Sequence, residues 1–228
     1  MIDRLRSDGF EIGVHGLRHD GTLFRSEKDF EQNIMRVNRY LREWRASGFR
    51  SESTLRNAGW MEKIHAVYDS SFPDTDPYEP VAGGCCSIWP FFFGKLIELP
   101  ITMPQDHTLF DILRETDITI WKNKASWIEK CGGCILVDVH PDYMKSAQRL
   151  SLYEAFLSFM QEKSGLWHAL PCDVAGWWNE RNQSTLCHTG SCWSVNGPAS
   201  GRAGIIRTTP DNRTLCHQLV TEIYKESI

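Results

Sequence analysis

Strand-like and helix-like patterns take turns along this chain. That alternation restricts it to folds in which a mainly parallel sheet is covered by helices. Residues 10–14 and 134–139 are apolar runs of strand length, ending at His15 and His140. Between them Ser26 and Asp29 form a capping box. Phe30, Ile34, Val37, Leu41 and Trp44 then follow at helical spacing, and Gly48 closes the helix. Further on, the pattern predicts a short helix over 59–66, a strand over 67–71 and a long proline-rich loop over 72–90. A strand over 97–101 and helices near 107–115 and 118–130 come next. The run 134–139 reads as the strongest strand. A helix marked by Leu152, Ala155, Phe156, Phe159 and Met160, a strand at 167–170 and a helix at 174–181 complete a main domain, residues 1–181. The polar, glycine-rich stretch 182–228 reads as a small β-rich C-terminal extension, with short strands at 192–195 and 205–208.

The chemistry gathers where these strands end. His15 and His19 make an H-x-x-x-H pair on a turn leaving a strand, and two imidazoles so placed can grip one divalent ion. The plain alternative is two exposed loop histidines. Asp138 and His140 are two apart, so on an extended strand both side chains face one side. That arrangement can raise the His140 pKa, which suits an acid working near neutrality.

Taken together, these pieces resemble the polysaccharide deacetylase family, the NodB-like carbohydrate esterases. Glu11-Ile12-Gly13-Val14-His15-Gly16-Leu17-Arg18-His19 is similar to its second motif, Phe49-Arg50-Ser51 to its third, Tyr68-Asp69-Ser70-Ser71 falls where the fourth lies, and Leu136-Val137-Asp138-Val139-His140 is similar to the fifth. Glu98-Leu99-Pro100-Ile101 and Trp167-His168-Ala169-Leu170-Pro171 resemble accessory stretches of bacterial members. The resemblance covers about residues 8 to 181. It implies a distorted (β/α) barrel and metal-dependent hydrolysis of N-acetyl, or O-acetyl, groups on a poly- or oligosaccharide. It makes His15 and His19 ligands of a divalent metal, zinc by preference, and His140 the general acid. Arg50 would orient the catalytic base, and Asp69 would hold the acid histidine. Trp89 and Tyr143 would line a sugar cleft by stacking.

The pattern also departs from the family. The first motif, a strand ending in two aspartates, should precede Met1, so a chain truncated at its N-terminus, a barrel missing its first strand and impaired activity are expected. Glu52 stands where the third motif has proline, and Asp138 where the fifth has an apolar residue. Neither is read as a replacement for the two aspartates.

Composition excludes several classes. A net charge of −4 gives no basic surface for nucleic acid, and no apolar run is long enough to span a membrane. Charge from residue 3 onward argues against a secretory signal peptide, which with eight cysteines points to reduced thiols in a cytoplasmic protein. The sequons at Asn182 and Asn212 are then chance. Two rival functions remain beside the enzyme. One is a non-catalytic remnant or carbohydrate-binding protein of the same fold. The other, weaker, is a redox protein using Cys131 and Cys134, because that C-x-x-C precedes a strand rather than opening a helix.

Overall fold

The computed structural model describes residues 1–205 except 77, 79, 80, 82 and 191. The expected strand at 205–208 and Asn212 therefore lie wholly or partly outside the described residues. The described chain divides after Cys172 into two compact units, Met1–Cys172 and a second beginning at Asp173.

In the first unit, β1 (Val14–His15), β2 (Gly48–Arg50), β3 (Tyr68–Asp69), β4 (Phe91–Phe93) and β5 (Leu96–Glu98) form one sheet, in the order β1-β2-β3-β5-β4. The pairs β1–β2, β2–β3 and β3–β5 are parallel, and only β4 runs antiparallel. The mixed α/β architecture follows the alternation in the sequence, as an open sheet with β1 at an edge. The strands are much shorter than their apolar runs. The run 134–139 is extended but joins no ladder. Cys134 N–H donates to the Ile88 carbonyl, Leu136 N–H to Thr102 Oγ1, and the Leu136 carbonyl accepts from Thr102 and Met103 N–H. A side-chain hydroxyl and irregular backbone thus satisfy groups that a strand would have paired. Residues 167–170 also carry no strand.

Six helices are described: α1 (Ile2–Ser7), α2 (Glu27–Glu43), α3 (Ala58–Met61), α4 (Thr119–Lys130), α5 (Ala147–Gln161) and α6 (Pro171–Asn182). In α2 the capping box forms as read. Ser26 Oγ accepts from Asp29 N–H and donates to the Asp29 carboxylate. The helix does not run on to Gly48. It ends at Glu43, and Arg45 takes the left-handed conformation at φ 47°. Gly48 instead opens β2. Phe30, Ile34, Val37 and Leu41 bury one face of α2 against Val14, Phe49, Met61 and Leu96. Fully burying each such side chain contributes roughly 1.5–3 kcal/mol. A second core joins Trp121 and Ile128 of α4, Phe156 of α5, and Leu109 and Phe110 of the π-helical turn Thr108–Ile112. In the second unit β6 (Thr185–Thr189) and β7 (Cys192–Asn196) make an antiparallel hairpin. The expected strand at 192–195 is β7, and its partner is β6, a strand the sequence pattern did not predict.

Gly48 shows why β2 must start with glycine. A Cβ there would lie 2.0 Å from the Tyr68 ring on the neighbouring strand. That ring cannot step aside, since its hydroxyl donates to Glu11 Oε1 at 2.9 Å and the residue is buried. Gly48→Ala is expected to cost about 1–3 kcal/mol of stability through overpacking. Urea denaturation measures it, and an unchanged midpoint would show that the ring moves freely.

Candidate active site

The polar side chains of the sheet gather at the C-terminal ends of its parallel strands, where α/β folds place their chemistry. His15 ends β1, Arg50 ends β2, Asp69 ends β3 and Glu98 ends β5. Register makes them neighbours in turn: His15 pairs with Arg50, and Asp69 with Glu98.

Arg50 is the hub. Its Nε donates to the Ser70 carbonyl and its Nη2 to Ser70 Oγ, both at 2.8 Å. Its Nη1 makes an ion pair with Asp138 Oδ1. The expected base-orienting arginine thus holds an aspartate carried by the segment that also bears His140. On its other side the Arg50 carbonyl lies 3.1 Å from His15 Nδ1, so that nitrogen carries the hydrogen. Protein packed around the His15 imidazole pulls its pKa below the ordinary 6.5, outweighing that hydrogen bond. A neutral imidazole with Nδ1 occupied leaves Nε2 free to act as a ligand. His15 and His19 stand edge to face, ring centroids 5.5 Å apart.

His140 is gripped by a residue that sequence reading missed. Asp106, fully buried, accepts from His140 N–H at 2.6 Å and faces His140 Nδ1 at 2.7 Å. It also accepts from His107 N–H at 2.8 Å. A carboxylate only accepts, so Nδ1 carries the proton, and Nε2 is the nitrogen presented outward. The hydrogen bond to Asp106 raises the His140 pKa above 6.5, with the Asp138 charge adding to it against the opposing effect of burial. The Asp138–His140 pairing expected from spacing is present but secondary: Asp138 Oδ2 is 3.9 Å from His140 Nε2, beyond direct hydrogen bonding.

Asp69 does not hold the histidine. Its carboxylate accepts from Ser71 N–H and Oγ at 3.1 and 2.7 Å and lies against Glu98, both acids fully buried. Burial first, then the Asp69 charge, pushes the Glu98 carboxyl well above the ordinary range. Asp69 ends a short strand and turns into the sheet's own acid pair, while His140 lies beside the segment leading to the π-helical turn. Tyr143 places its ring edge against His140, centroids 5.4 Å apart, and stacks at a tilt on His107 at 5.0 Å. Trp89 is 38% exposed and donates through Nε1 to the Gly132 carbonyl at 3.2 Å.

Two imidazoles from one turn suit a divalent ion. Beneath that turn lies Glu52, 1% exposed, with neither carboxyl oxygen hydrogen-bonded among the described residues. A Cβ on Gly16, in the middle of the turn, would lie 2.2 Å from Glu52 Oε2. An orphaned buried carboxylate beside two histidines fits the chemistry of a cation site. Among the described residues, however, no three His, Cys, Asp or Glu side chains stand together as a ready ligand set.

The C-x-x-C reading fails on physical grounds. Cys131 caps the C-terminus of α4, where the helix dipole disfavours a thiolate. Burial pushes the Cys134 thiol up to about 11. No described helix is long and apolar enough to cross a membrane.

Comparison with known proteins places this geometry in a fold. No protein-family model matches the chain. No curated protein matches it either. Among solved structures, the chain is similar to the crystal structure of a "putative polysaccharide deacetylase" from Mycobacterium smegmatis. The identity is 18% and the TM-score 0.64, over 83% of this chain and 70% of that one. At that identity the likeness shows a shared fold, mixed α/β as expected, while the sheet of the described residues is open and does not close the barrel that the resemblance implied.

Proposed function

We propose that this chain is a hydrolase that removes N-acetyl groups, with O-acetyl as a variant, from a poly- or oligosaccharide, aided by a divalent metal, zinc by preference, and acting in the cytoplasm. One observation carries the reading: a buried carboxylate fixes His140 so that its outward nitrogen faces the Arg50–Asp138 pair at the C-terminal end of the sheet. The deacetylase-like fold supports the same assignment. His15 and His19 would hold the metal, which when bound would polarise the acyl carbonyl and acidify a water. The chain's own groups do the rest. Protonated His140 donates from Nε2 to the leaving nitrogen, and Asp106 keeps that nitrogen in position. Arg50, fixed by Ser70, sets the carboxylate of Asp138. Tyr143 and Trp89 offer ring faces for the sugar.

The test is acetate release from an oligomer of N-acetylglucosamine. Activity is expected with added zinc, to vanish on EDTA treatment and to return on zinc re-addition. His15→Ala and His19→Ala should each lower the zinc retained after dialysis. Acetate release indifferent to EDTA would refute the metal role. A second reading, carbohydrate binding without catalysis, is favoured by the absence of a ready three-ligand set among the described residues. It is told apart by calorimetric binding of the same oligomer with no acetate released.

A further inference from the structure

Asp138 is more than the partner of Arg50. Its Oδ1 is taken by the guanidinium, which is itself held through Nε and Nη2 by Ser70, whose hydroxyl donates on to the Leu99 carbonyl at 2.8 Å. That leaves Oδ2 pointing at His140 Nε2 across 3.9 Å. The opposite side of the imidazole is closed by Asp106. So the one open nitrogen of His140 and the one open oxygen of Asp138 flank the same small space. The gap is too long for a direct hydrogen bond and suits a bridging water or a reacting atom. The Asp138 side chain is 13% exposed and that of His140 33%, so both can be reached yet are largely shielded from bulk water. A carboxylate and an imidazolium fixed on either side of one space form a base–acid pair.

Resting on the hydrolase reading above, we propose that Asp138 is the catalytic base, the residue that takes the proton from the attacking water. Asp138 Oδ2 removes a proton from the water as the water oxygen bonds to the acyl carbon, and the carbonyl π pair moves onto its oxygen. That pair returns, the carbon–nitrogen bond breaks, and its electrons take the proton from His140 Nε2. The products are the free amine and acetic acid, which ionises to acetate. Asp138 then holds one proton more and His140 one fewer. Transfer through a water bridging the 3.9 Å gap restores both. The assignment gives this chain a base on the fifth motif's segment, where the sequence pattern showed only a departure.

The experiment compares the full chain with D138N and D138A on the N-acetylglucosamine oligomer with zinc, across pH. D138N keeps the side chain's shape and an oxygen for Arg50, so it separates proton transfer from packing. It is expected to lower kcat by about 10²- to 10⁴-fold with KM nearly unchanged and to lose the acidic limb of the pH profile. Formate is expected to restore turnover to D138A, because a small carboxylate can occupy the vacated space, and to leave H140A inactive. Like turnover in D138N and the wild type, or D138A that formate does not rescue, overturns the role of Asp138 alone. No acetate from the wild type overturns the hydrolase reading and this role with it.

Discussion

Asp106→Asn is expected to slow turnover by about 10²- to 10⁴-fold while the protein stays folded. The reasoning starts from hydrogen inventory. The Asp106 carboxylate accepts from His140 N–H, from His107 N–H and from His140 Nδ1–H. An asparagine offers one accepting oxygen and one donating NH₂. Whichever way the amide turns, its donor meets a hydrogen. To relieve this, neutral His140 must move its proton to Nε2 and present Nδ1 as acceptor. The outward nitrogen is then a weak donor when neutral, and the imidazolium loses the anion that stabilises it. Since the Asp106 hydrogen bond is the largest cause of the raised His140 pKa, its removal lowers the pKa at which the acid is lost. The alkaline limb of the pH–rate profile should therefore shift to lower pH, a change that general loosening of the fold would not give. Kinetics across pH with thermal melting in parallel decide the matter. Unchanged kcat at neutral pH would mean that His140 is not the acid.

The residues of this network differ in how openly the sequence announced them. His15 and His140 end predicted strands; His15 does end β1, the run before His140 joins no ladder, and Arg50, expected just past a helix, ends β2. Strand ends are legible because apolar alternation stops where polar chemistry begins. Asp106 carried no such mark. It lies 34 positions before His140, and no local spacing links the two. Only the tertiary path, which brings the Thr102–Asp106 backbone beside residues 134–138, joins them. Glu52 was visible only as a departure from a motif, and its lack of partners is a fact of packing. Likewise, the α2 stripe was clear because one helix face meets one core, whereas the run 134–139 misled. Its composition is that of a strand, but the hydroxyl of Thr102 takes its place in the hydrogen bonding. The parallel order of the sheet follows from strand–helix alternation.

Glu98→Gln is expected to stabilise the protein at pH 8 and to leave stability at pH 4 nearly unchanged. Glu98 and Asp69 pair across β3 and β5, both fully buried. Glu98 Oε1 accepts from Phe72 N–H at 3.0 Å, and Asp69 accepts from Ser71 twice. Both oxygens of Asp69 are therefore committed as acceptors, and a proton resting on Glu98 satisfies the contact between the acids. Burial holds that proton on Glu98 far above the ordinary 4.5. In the unfolded chain Glu98 ionises near 4.5, so above that pH the folded state binds more protons than the unfolded state. Stability from this group must fall as pH rises, from about 4.5 until the folded carboxyl itself ionises. Glutamine mimics the protonated acid: its oxygen can serve Phe72 and its NH₂ can serve Asp69. It takes no part in the titration, so the difference in unfolding free energy between variant and wild type should grow with pH, reaching about 1–3 kcal/mol, the scale of one buried polar group left without its partner. The difference curve also removes the His140 contribution, which falls with pH in both proteins. Asp69→Asn provides the contrast: it removes the charge that, after burial, does most to raise the Glu98 carboxyl, so the fall of stability with pH should be smaller in it than in the wild type. Urea denaturation of the three proteins between pH 4 and 8 gives the curves. A flat difference curve for Glu98→Gln would show that the two acids ionise independently and share no proton.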